Sequence, residues 1–409
     1  RPPRSTLFPY TTLFRSIGGF TFVVFKTYKM NDMKGKQGLV CMGLLLVLSS
    51  CHTGKQITAS GLQRKDFQTE VNGQHTDLFT LSNKQGMEVC ITNYGARVVS
   101  ILVPDRNGKR EDVVCGFSTI TEYMEQRQNF GSTVGRYIGR ILNARFTLDG
   151  VEYKLVPNNG KSGHISHGGN PGFADRIWKV EQADTHRVRL SYLSPDGENG
   201  FPGNLKVTLV YSLGEDDNAL DLTYEATTDA PTVLNLSHHS FFNISGNFTK
   251  SVEDQQLWVD ADRFTPYDDK KCVTGEYLPV AGTPLDFRMP HTIGECIDAD
   301  HPQLKVVNGY DHTWELNTKG DDTRPAAWVY DPASGRKMEI FTTEPGMQIY
   351  TGNGLKGKMT GKGGIAYPFR SAVCFETMHF QDSPNQPGFP STVLRPGEVF
   401  RSHTVYKFE

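Results

Sequence analysis

RVRLSYLSPDGENGFPGNLKVTLVYSLGEDDNALDLTYEATT, residues 187–228, is the stretch that decides the fold class. Within it, the segments 187–194, 205–213 and 219–228 alternate apolar and polar residues over several positions. Successive side chains of an extended chain point to opposite faces, so this alternation gives each segment one apolar face. Turn-forming Gly, Pro, Asn and Asp separate the segments. The stretch therefore predicts consecutive β-strands that pack one face on a core.

The same pattern continues through the rest of the chain beyond residue 62. The 409 residues include 41 Gly and 22 Pro, which suits many turns between short strands. Helical periodicity is scarce, and STITEYMEQR at 118–127 is the best candidate helix. No internal repeat is evident. We expect an all-β fold with few short helices, an antiparallel sandwich or barrel that forms one domain over residues 63–409.

Residues 1–29 are interpreted as non-native. RSTLFPYTTLFRS at 4–16 has a mirrored pattern that resembles translated adapter or vector sequence more than protein. We expect the gene to start at Met30 or Met33.

A lipoprotein signal peptide is predicted for residues 30–50. Two lysines precede an apolar run at 39–48 that is too short to span a bilayer. The run ends in LSSC (48–51), which resembles the lipobox of bacterial lipoproteins and implies a lipid on Cys51. A polar tether would follow at 51–62, and the protein would be exported and anchored to a bacterial membrane, in the periplasm or at the cell surface. A plain signal peptide with a chance cysteine is the alternative.

The charges and cysteines exclude several classes of function. The formal net charge is −2, but seven of the 43 Lys and Arg and one of the 45 Asp and Glu fall in residues 1–50. The remainder is acidic and has no basic run, so a nucleic-acid partner is not expected. An odd number of cysteines follows residue 51, without CxxC spacing, which makes a disulfide framework or zinc ribbon unexpected and leaves one bridge open. These cysteines are Cys90, Cys115, Cys272, Cys296 and Cys374.

Several stretches combine polar residues, Gly and aromatics where plain strand alternation would not need them. In chain order, they are GSTVGRYIGRILNARFTLDGVEYKL (131–155), GHISHGGNPGFADRIW (163–178), SPDGENGFPGNL (194–205), NLSHHSFFN (235–243), NGYDHTWEL (308–316), EPGMQIYTGN (344–353) and CFETMHFQDSPNQPGFPS (374–391). The ordered set resembles the aldose 1-epimerase family over about residues 65–409. Each piece alone is weak evidence, whereas the order and the long last segment are specific.

The resemblance implies a large antiparallel β-sandwich with an open sugar cleft and no cofactor or metal. The family interconverts the α and β anomers of free aldoses such as galactose and glucose, so free aldose sugars are the expected partners of a monomer. The family's catalytic Glu falls on Glu376 and its catalytic His on His239. Its substrate-binding positions fall on His167, Arg140, Asp311 and Gln348.

The chemistry of anomer exchange calls for one base and one acid on opposite sides of the hemiacetal, which places His239 opposite Glu376 across a sugar ring. A proton must leave the C1 hydroxyl while the ring oxygen gains one, and the ring then opens and recloses. A carboxylate with a pKa near ~4.3 is ready as a base at neutral pH, and an imidazole near ~6.5 can supply a proton. We therefore assign Glu376 as the base and His239 as the acid, with the roles exchanged in the return step. The reverse assignment would need a Glu pKa raised by burial.

Two adjacent histidines, His238 and His239, invite a metal interpretation together with His164 and His167. Neighbouring residues of a strand point to opposite faces, so His238 and His239 do not readily bind one ion. No Asp, Glu or Cys at ligand spacing completes a set. We expect His238 to pack or hydrogen-bond on the face opposite to His239.

The chain departs from the family pattern at two positions. The family usually has Asn at the position of His238, and it often has Asn before the arginine, where this chain has Gly139. The aromatic residues Trp178 and Phe242 are open to two interpretations, because they could stack on a sugar or fill the core.

Three other functions compete with the epimerase. Glu376 and Asp311 could be the paired carboxylates of a glycoside hydrolase, although no second acidic residue falls in a comparable motif. A non-catalytic sugar-binding lipoprotein would not need an acid opposite a base. A hexose-6-phosphate 1-epimerase would need a basic cluster at the cleft mouth, and none is evident in the sequence.

Overall fold

The computed structural model describes residues 14–17, 20–23 and 56–409. The chain divides into two compact units, Arg1–Cys51 and His52–Glu409. In the first unit, β1 (Phe14–Ile17) pairs antiparallel with β2 (Phe20–Val23).

The predicted signal peptide at 30–50 and the predicted lipidation site Cys51 lie outside the described residues, as does most of the segment 1–29 interpreted as non-native.

The second unit is built mainly of short strands. Its first half contains β3 (Glu70–Val71), β4 (Gln74–His75), β5 (Leu78–Ser82), β6 (Glu88–Thr92), β7 (Arg97–Pro104), β8 (Arg110–Asp112), β9 (Ser132–Val134), β10 (Arg140–Ile141), β11 (Arg145–Leu148), β12 (Val151–Lys154), β13 (Ile165–Ser166), β14 (Lys179–Ala183), β15 (Arg187–Ser194), β16 (Leu205–Leu213) and β17 (Ala219–Thr228). The second half contains β18 (Thr232–Val233), β19 (Ser237–His239), β20 (Phe241–Phe242), β21 (Gln256–Val259), β22 (Arg263–Thr265), β23 (Leu278–Pro279), β24 (His291–Thr292), β25 (Asp311–Glu315), β26 (Ala327–Tyr330), β27 (Lys337–Thr342), β28 (Gly346–Tyr350), β29 (Val373–Met378), β30 (Val393–Leu394) and β31 (Phe400–Phe408).

Helices are few and short in the described part of the chain. The α-helices are α1 (Ile120–Gln126) and α2 (Pro302–Val307), and the 3-10 helices are Arg64–Phe67, Leu142–Ala144, Gly160–Ser162, Phe173–Asp175, Glu198–Gly200, Ile293–Glu295, Lys362–Gly364 and Ser383–Asn385. The predicted helix at 118–127 is confirmed as α1, where the Thr119 side chain accepts from the Glu122 N–H and the Glu122 carboxylate accepts from the Thr119 N–H. None of the described helices is long and apolar enough to cross a bilayer.

The stretch 187–228 forms β15, β16 and β17, which are neighbours in a nine-stranded sheet. The strand order of this sheet is β14-β15-β16-β17-β31-β27-β26-β21-β24. In β16 buried residues alternate with more exposed ones, as the sequence pattern predicts. The prediction of consecutive antiparallel strands is confirmed by the register, in which Leu209 lies opposite Leu190 in β15 and Tyr224 in β17.

Two further sheets complete the sandwich. One has six strands in the order β20-β29-β28-β25-β22-β23, and the other has four in the order β5-β6-β7-β8. One hydrophobic cluster takes buried residues from all three sheets, including Leu209 and Leu222 of the nine-stranded sheet, Ile349 and Phe375 of the six-stranded sheet and Ile101 of the four-stranded sheet. The expected all-β antiparallel sandwich is therefore confirmed.

Residues 56–62 are the described part of the expected tether, and they contact the domain. The N–H groups of Ala59 and Ser60 donate to Glu88 Oε1 at 2.7 and 3.2 Å. Leu62 is buried in a hydrophobic cluster of the domain. The packed part of the chain thus begins before residue 63, where the sequence placed the domain boundary.

Candidate active site

One face of the six-stranded sheet carries the polar residues of the site. In its register, Gln348 of β28 lies between Thr313 of β25 and Glu376 of β29. Asp311 begins β25 and lies on the same face as Thr313, two residues further on. The opposite face supplies the core with residues such as Phe375. The two-residue period of these strands therefore separates a core face from a functional face.

His239 comes to this face from a different pair of strands. It ends β19, where it lies opposite Ser132 of β9. Its Nε2 is 3.5 Å from Oε1 of Glu376, and both side chains are almost completely buried. The two residues assigned as acid and base thus lie side by side, and the prediction that they face each other across a sugar ring is wrong, because a separation of 3.5 Å leaves no room for the ring.

Arg140 and His167 form a second wall of the site. Arg140 in β10 lies opposite Ser166 in β13, and His167 follows directly with a left-handed backbone of φ 52°. The N–H of His167 donates to the Gly139 carbonyl at 2.9 Å. The ring of His167 meets that of His239 edge to face, with centroids 5.5 Å apart. Its Nδ1 is buried and has no hydrogen-bond partner in the described structure.

These residues line one open cleft of about 230 Å³. The structure brings all six sequence-predicted site residues together here, namely Arg140, His167, His239, Asp311, Gln348 and Glu376. Polar side chains dominate the lining, and they offer donors and acceptors for hydrogen bonds to a small hydroxylated molecule.

The side chain of Gln348 is held by a network of hydrogen bonds within the protein. Its Nε2 donates to Asp311 Oδ1 at 2.6 Å and to the Tyr267 hydroxyl at 3.4 Å. Its Oε1 accepts from the Thr313 hydroxyl and, at 3.3 Å, from Gln381 Nε2. The two donors and two acceptor positions of this amide are therefore all engaged. The network fixes the position of the Asp311 carboxylate.

Burial shifts the pKa values of the acid–base pair in opposite directions. It raises the pKa of Glu376 well above its usual value, and the nearby charge of Asp311 adds to this effect. It lowers the pKa of His239 well below its usual value, and the neighbouring His167 ring adds to that effect. The assignment from the sequence takes ordinary pKa values of about 4.3 for Glu376 and about 6.5 for His239 as its premise. That premise is wrong, because desolvation favours the neutral form of both groups.

The pKa values of two other cleft residues also move. Burial, together with the charge of Arg140, lowers the pKa of His167 to about 4. Burial raises the pKa of Asp311, although Arg140 and the hydrogen bond from Gln348 oppose the shift. His167 is therefore a neutral ring at neutral pH, which can accept or donate one hydrogen bond at each nitrogen according to its tautomer.

The structure places His164 and His238 away from the cleft residues His167 and His239, with which they could have formed a metal site. His238 is buried on the opposite face, where its ring nitrogens contact the hydroxyls of Ser240 (2.6 Å) and Tyr211 (3.4 Å). The location predicted for His238 is confirmed. His164 Nδ1 accepts from the Asn143 N–H at 2.9 Å. Neither His238 nor His164 therefore lies with His167 and His239 around a common metal position.

A different group of three potential metal ligands is present, comprising His239, Cys374 and Glu376 within 4.8 Å of one another. Cys374 Sγ is 3.6 Å from Nδ1 of His239, whereas Glu376 is beside Nε2. The two nitrogens lie on opposite sides of the ring, so this arrangement does not converge on one ion. All five cysteines of the described region are free.

Comparison with known proteins identifies the family to which this chain belongs. The sequence model described as aldose 1-epimerase matches residues 77–407. The chain belongs to the aldose 1-epimerase family. It is 39% identical over 330 residues to galactose mutarotase from Sus scrofa, covering 81% of this chain and 93% of that protein. It is 36% identical over 339 residues to aldose 1-epimerase from Escherichia coli K12, covering 82% of this chain and 96% of that protein.

Solved structures of aldose epimerases have the same fold. A GalM/aldose epimerase homologue from C. elegans aligns with a TM-score of 0.75 at 31% identity, over 82% of this chain and 99% of that one. Galactose 1-epimerase from Lactobacillus acidophilus aligns with a TM-score of 0.72 at 28% identity, over 83% of this chain and 96% of that one.

Within this aldose epimerase fold, Gly139 packs directly on the side chain of Gln381. A Cβ atom at residue 139 would lie 2.6 Å from Gln381 Cγ. The Gln381 Nε2 donates to the Tyr267 hydroxyl at 2.7 Å, and its Oε1 accepts from the Arg140 N–H at 3.3 Å. The amide of Gln381 thus reaches into the space beside Gly139, where the family often has Asn.

Sequence reasoning missed Gln381 and two aromatic residues of the cleft, Phe241 and Tyr350. Phe241 stacks on His239 with ring centroids 5.0 Å apart. The alternation that separated the two histidines could have found it, because Phe241 lies two residues after His239. Of the aromatic residues left open, Trp178 and Phe242 are buried in the core. Gln381 lies within the quoted segment 374–391, but nothing in that segment distinguished it from its neighbours.

Proposed function

We propose that this protein interconverts the α and β anomers of free aldohexoses of the galactose and glucose type, with Glu376 as base and His239 as acid. The observation that carries the proposal is the buried pair itself, with Oε1 and Nε2 3.5 Å apart at the wall of a polar cleft. An acid beside a base is what ring opening of a hemiacetal requires.

The pair holds one proton between its two groups. In this proposal the proton of the free protein is on the carboxyl of Glu376, since burial raises the pKa of that carboxyl and lowers the pKa of His239. Its transfer to Nε2 of His239 gives a carboxylate and an imidazolium without changing the net charge. This second arrangement is the reactive one.

Each proton returns to its starting group over one cycle. Glu376 takes the proton of the C1 hydroxyl while His239 gives its Nε2 proton to the ring oxygen, and the bond between C1 and the ring oxygen breaks. The resulting aldehyde turns about the C1–C2 bond. The C5 hydroxyl oxygen then attacks the other face of C1, His239 takes back the hydroxyl proton, and Glu376 returns its proton to the C1 oxygen.

The four other cleft residues bind the sugar hydroxyls in this proposal. The neutral ring of His167 lines the cleft and offers one hydrogen bond to the sugar. The guanidinium of Arg140 has five N–H donors, and one is engaged by the Lys271 carbonyl at 3.3 Å. Asp311 presents the carboxylate that Gln348 fixes in place. Gln348 itself can give a sugar hydroxyl the N–H that now makes its long bond to Tyr267.

Polarimetry of freshly dissolved α-D-glucose or α-D-galactose tests the function. We expect the protein to accelerate the change in rotation beyond the buffer rate, and Glu376→Gln to lower kcat about a hundredfold or more. Glu344→Gln is the matched control, because Glu344 is also buried beside a histidine, His379 at 2.7 Å, but does not line the cleft. Full activity of Glu376→Gln would contradict the mechanism, and loss of activity in both variants would indicate damage to the fold.

The same assay separates the alternatives. Sugar binding without acceleration would favour a non-catalytic sugar-binding lipoprotein. Acceleration with glucose 6-phosphate but not with glucose would favour a hexose-6-phosphate 1-epimerase. Release of reducing sugar from a glycoside would favour hydrolysis by Glu376 with Asp311.

We further propose that the enzyme works as a monomer outside the cytoplasm, anchored to a bacterial membrane through a lipid on Cys51. The lipobox-like segment LSSC at 48–51 supports this proposal. In that location the enzyme would equilibrate anomers of free sugars before their uptake.

A further inference from the structure

Cys374 lies against the ring of His239, and the proposed mechanism does not use it. Its Sγ is 3.6 Å from Nδ1 of His239. Cys374 is fully buried in β29, two residues before Glu376. Alternate residues of a strand share a face, so sulfur and carboxyl both point toward the imidazole. The ring is held between sulfur at Nδ1 and carboxyl at Nε2.

Two aromatic contacts fix the plane of this ring. His239 stacks nearly parallel on Phe241, with an interplanar angle of 18°, and it meets His167 at 69°. The imidazole therefore keeps each nitrogen beside its own neighbour. The thiol beside Nδ1 can accept from Nδ1–H or donate to an unprotonated Nδ1, so its role and the tautomer of the ring go together.

Proton exchange at Nε2 of His239 requires that Nδ1 carry the proton of the neutral ring. Nε2 faces Glu376 and the cleft, so it is the atom that gains and loses the proton during turnover. A neutral imidazole has one protonated nitrogen, and Nε2 can accept a proton only while Nδ1 carries the other. A buried Nδ1–H needs an acceptor. In the described structure its hydrogen-bond neighbour is the sulfur of Cys374.

We propose that Cys374 is a positioning residue whose sulfur accepts a hydrogen bond from Nδ1–H of His239 and so fixes the tautomer that leaves Nε2 free for proton exchange. The inference rests on the proposed epimerase function and deepens it. Cys374 does not touch the sugar and acts only through the imidazole.

A thiol suits this place because it remains neutral. Burial and the charge of Glu376 raise the pKa of Cys374 well above its usual value, so no thiolate forms at neutral pH. A negative partner at Nδ1 would stabilise the imidazolium and retain its proton. A neutral sulfur orients the ring and still lets the proton leave in either direction of a reversible isomerisation.

The test compares Cys374→Ala, Cys374→Ser and Cys115→Ala in the full chain. Loss of the acceptor in Cys374→Ala should lower kcat about tenfold with little change in KM, since one hydrogen bond to the ring is lost. Cys374→Ser should retain most of the rate, because a hydroxyl also accepts. Cys115 is a free cysteine buried in the same hydrophobic cluster, and Cys115→Ala should leave kcat unchanged.

Nitrogen-15 NMR of histidine-labelled protein reads the tautomer directly. We expect His239 in the wild-type protein to show a protonated Nδ1 and an unprotonated Nε2, and Cys374→Ala to populate the Nε2–H form. A wild-type ring protonated at Nε2, or a Cys374→Ala variant with unchanged kcat and tautomer, would overturn the proposal. If Cys374→Ala does not fold, the tautomer in wild-type protein and in Cys374→Ser decides the question.

The two readouts also distinguish failure of the inference from failure of the proposed function. The spectra require no turnover, so the tautomer is measurable even if the protein accelerates no mutarotation. Absence of acceleration by the wild-type protein would contradict the epimerase proposal alone.

Discussion

At the scale of single residues, the negative charge of Asp311 raises the pKa of Glu376. Burial is the larger cause of the raised pKa of Glu376, and Asp311 is the second. In the proposed mechanism Glu376 and His239 share one proton, so activity should fall at low pH when His239 gains a second proton and at high pH when Glu376 loses the last one. The acid limb should lie below the ordinary histidine pKa, because the pKa of His239 is lowered.

The alkaline limb provides a test with a defined sign. Asp311→Asn removes a negative charge, which lowers the pKa of Glu376 and should move the alkaline limb of kcat/KM to lower pH. The variant should also raise KM about tenfold or more, since a charged hydrogen bond to the sugar is lost. A pH profile of the mutarotation rate checks both effects. An unchanged or upward-shifted alkaline limb would contradict this account of the pKa.

Gly139 and Gln381 form a second pair whose coupling is measurable. Gly139 has φ +76°, and a side chain there meets Gln381 Cγ. Gly139→Asn should displace the Gln381 amide from Tyr267 and from the Arg140 N–H, and so lower kcat/KM about tenfold. Adding Gln381→Ala should restore part of the loss, because the obstructing side chain is removed.

A matched glycine controls for backbone strain in this experiment. Gly150 has φ +80°, and a Cβ there would meet no atom within 4 Å. Gly150→Asn should therefore leave kcat/KM unchanged. Additive effects of Gly139→Asn and Gln381→Ala would show that the two residues are not coupled.

At the scale of elements, a histidine on β31 joins two carboxylates and makes the sheet sensitive to pH. His403 Nε2 contacts Asp221 of β17 at 3.2 Å, and its Nδ1 contacts Asp322 at 2.7 Å. These partners raise the pKa of His403 against the effect of burial. The stabilisation is therefore complete below the unfolded pKa of about 6.5 and is lost as the pH rises through the higher folded value.

Urea denaturation at pH 5.5 and pH 8.5 tests this linkage. His403→Gln should lower the free energy of unfolding by about 0.5–1 kcal/mol at the lower pH, since the groups are partly exposed, and by less at the higher pH. His75→Gln is the control, because His75 is largely exposed and its nearest carboxylate, Glu70, is 3.7 Å away. An equal loss from His403→Gln at both pH values would contradict the assignment.

The sequence predicted the strands and the helix whose residue pattern lies entirely within the element itself. The strands at 187–228 and the capped helix α1 carry their own periodicity and end signals, and both are present. Two-residue strands such as β10 and β13 have no period of their own. They pair because the loops around Arg140 and His167 bring them together, so local patterns did not indicate them.

At the scale of the whole molecule, the family motifs predicted which residues meet in the cleft, but they did not predict their proton chemistry. Six residues from six separate stretches of the chain line one cavity as expected. The pKa values of Glu376 and His239 depend on how deeply the sandwich buries them, which is a property of the packed fold. The contact between Gln381 and Gly139 likewise arises from segments far apart in sequence.

The anchor and the catalytic domain should be separable parts of the chain. The family match begins at residue 77, and the predicted lipidation site Cys51 precedes the packed domain. Cys51→Ala should move the protein from the detergent phase to the aqueous phase in a cloud-point partition of the expressing cells. Its kcat/KM for mutarotation should be unchanged, because no cleft residue lies near that segment of the sequence. Cys41→Ala, within the predicted signal peptide, should stay in the detergent phase, and a Cys51→Ala protein that also stays there would show that the lipobox prediction is wrong.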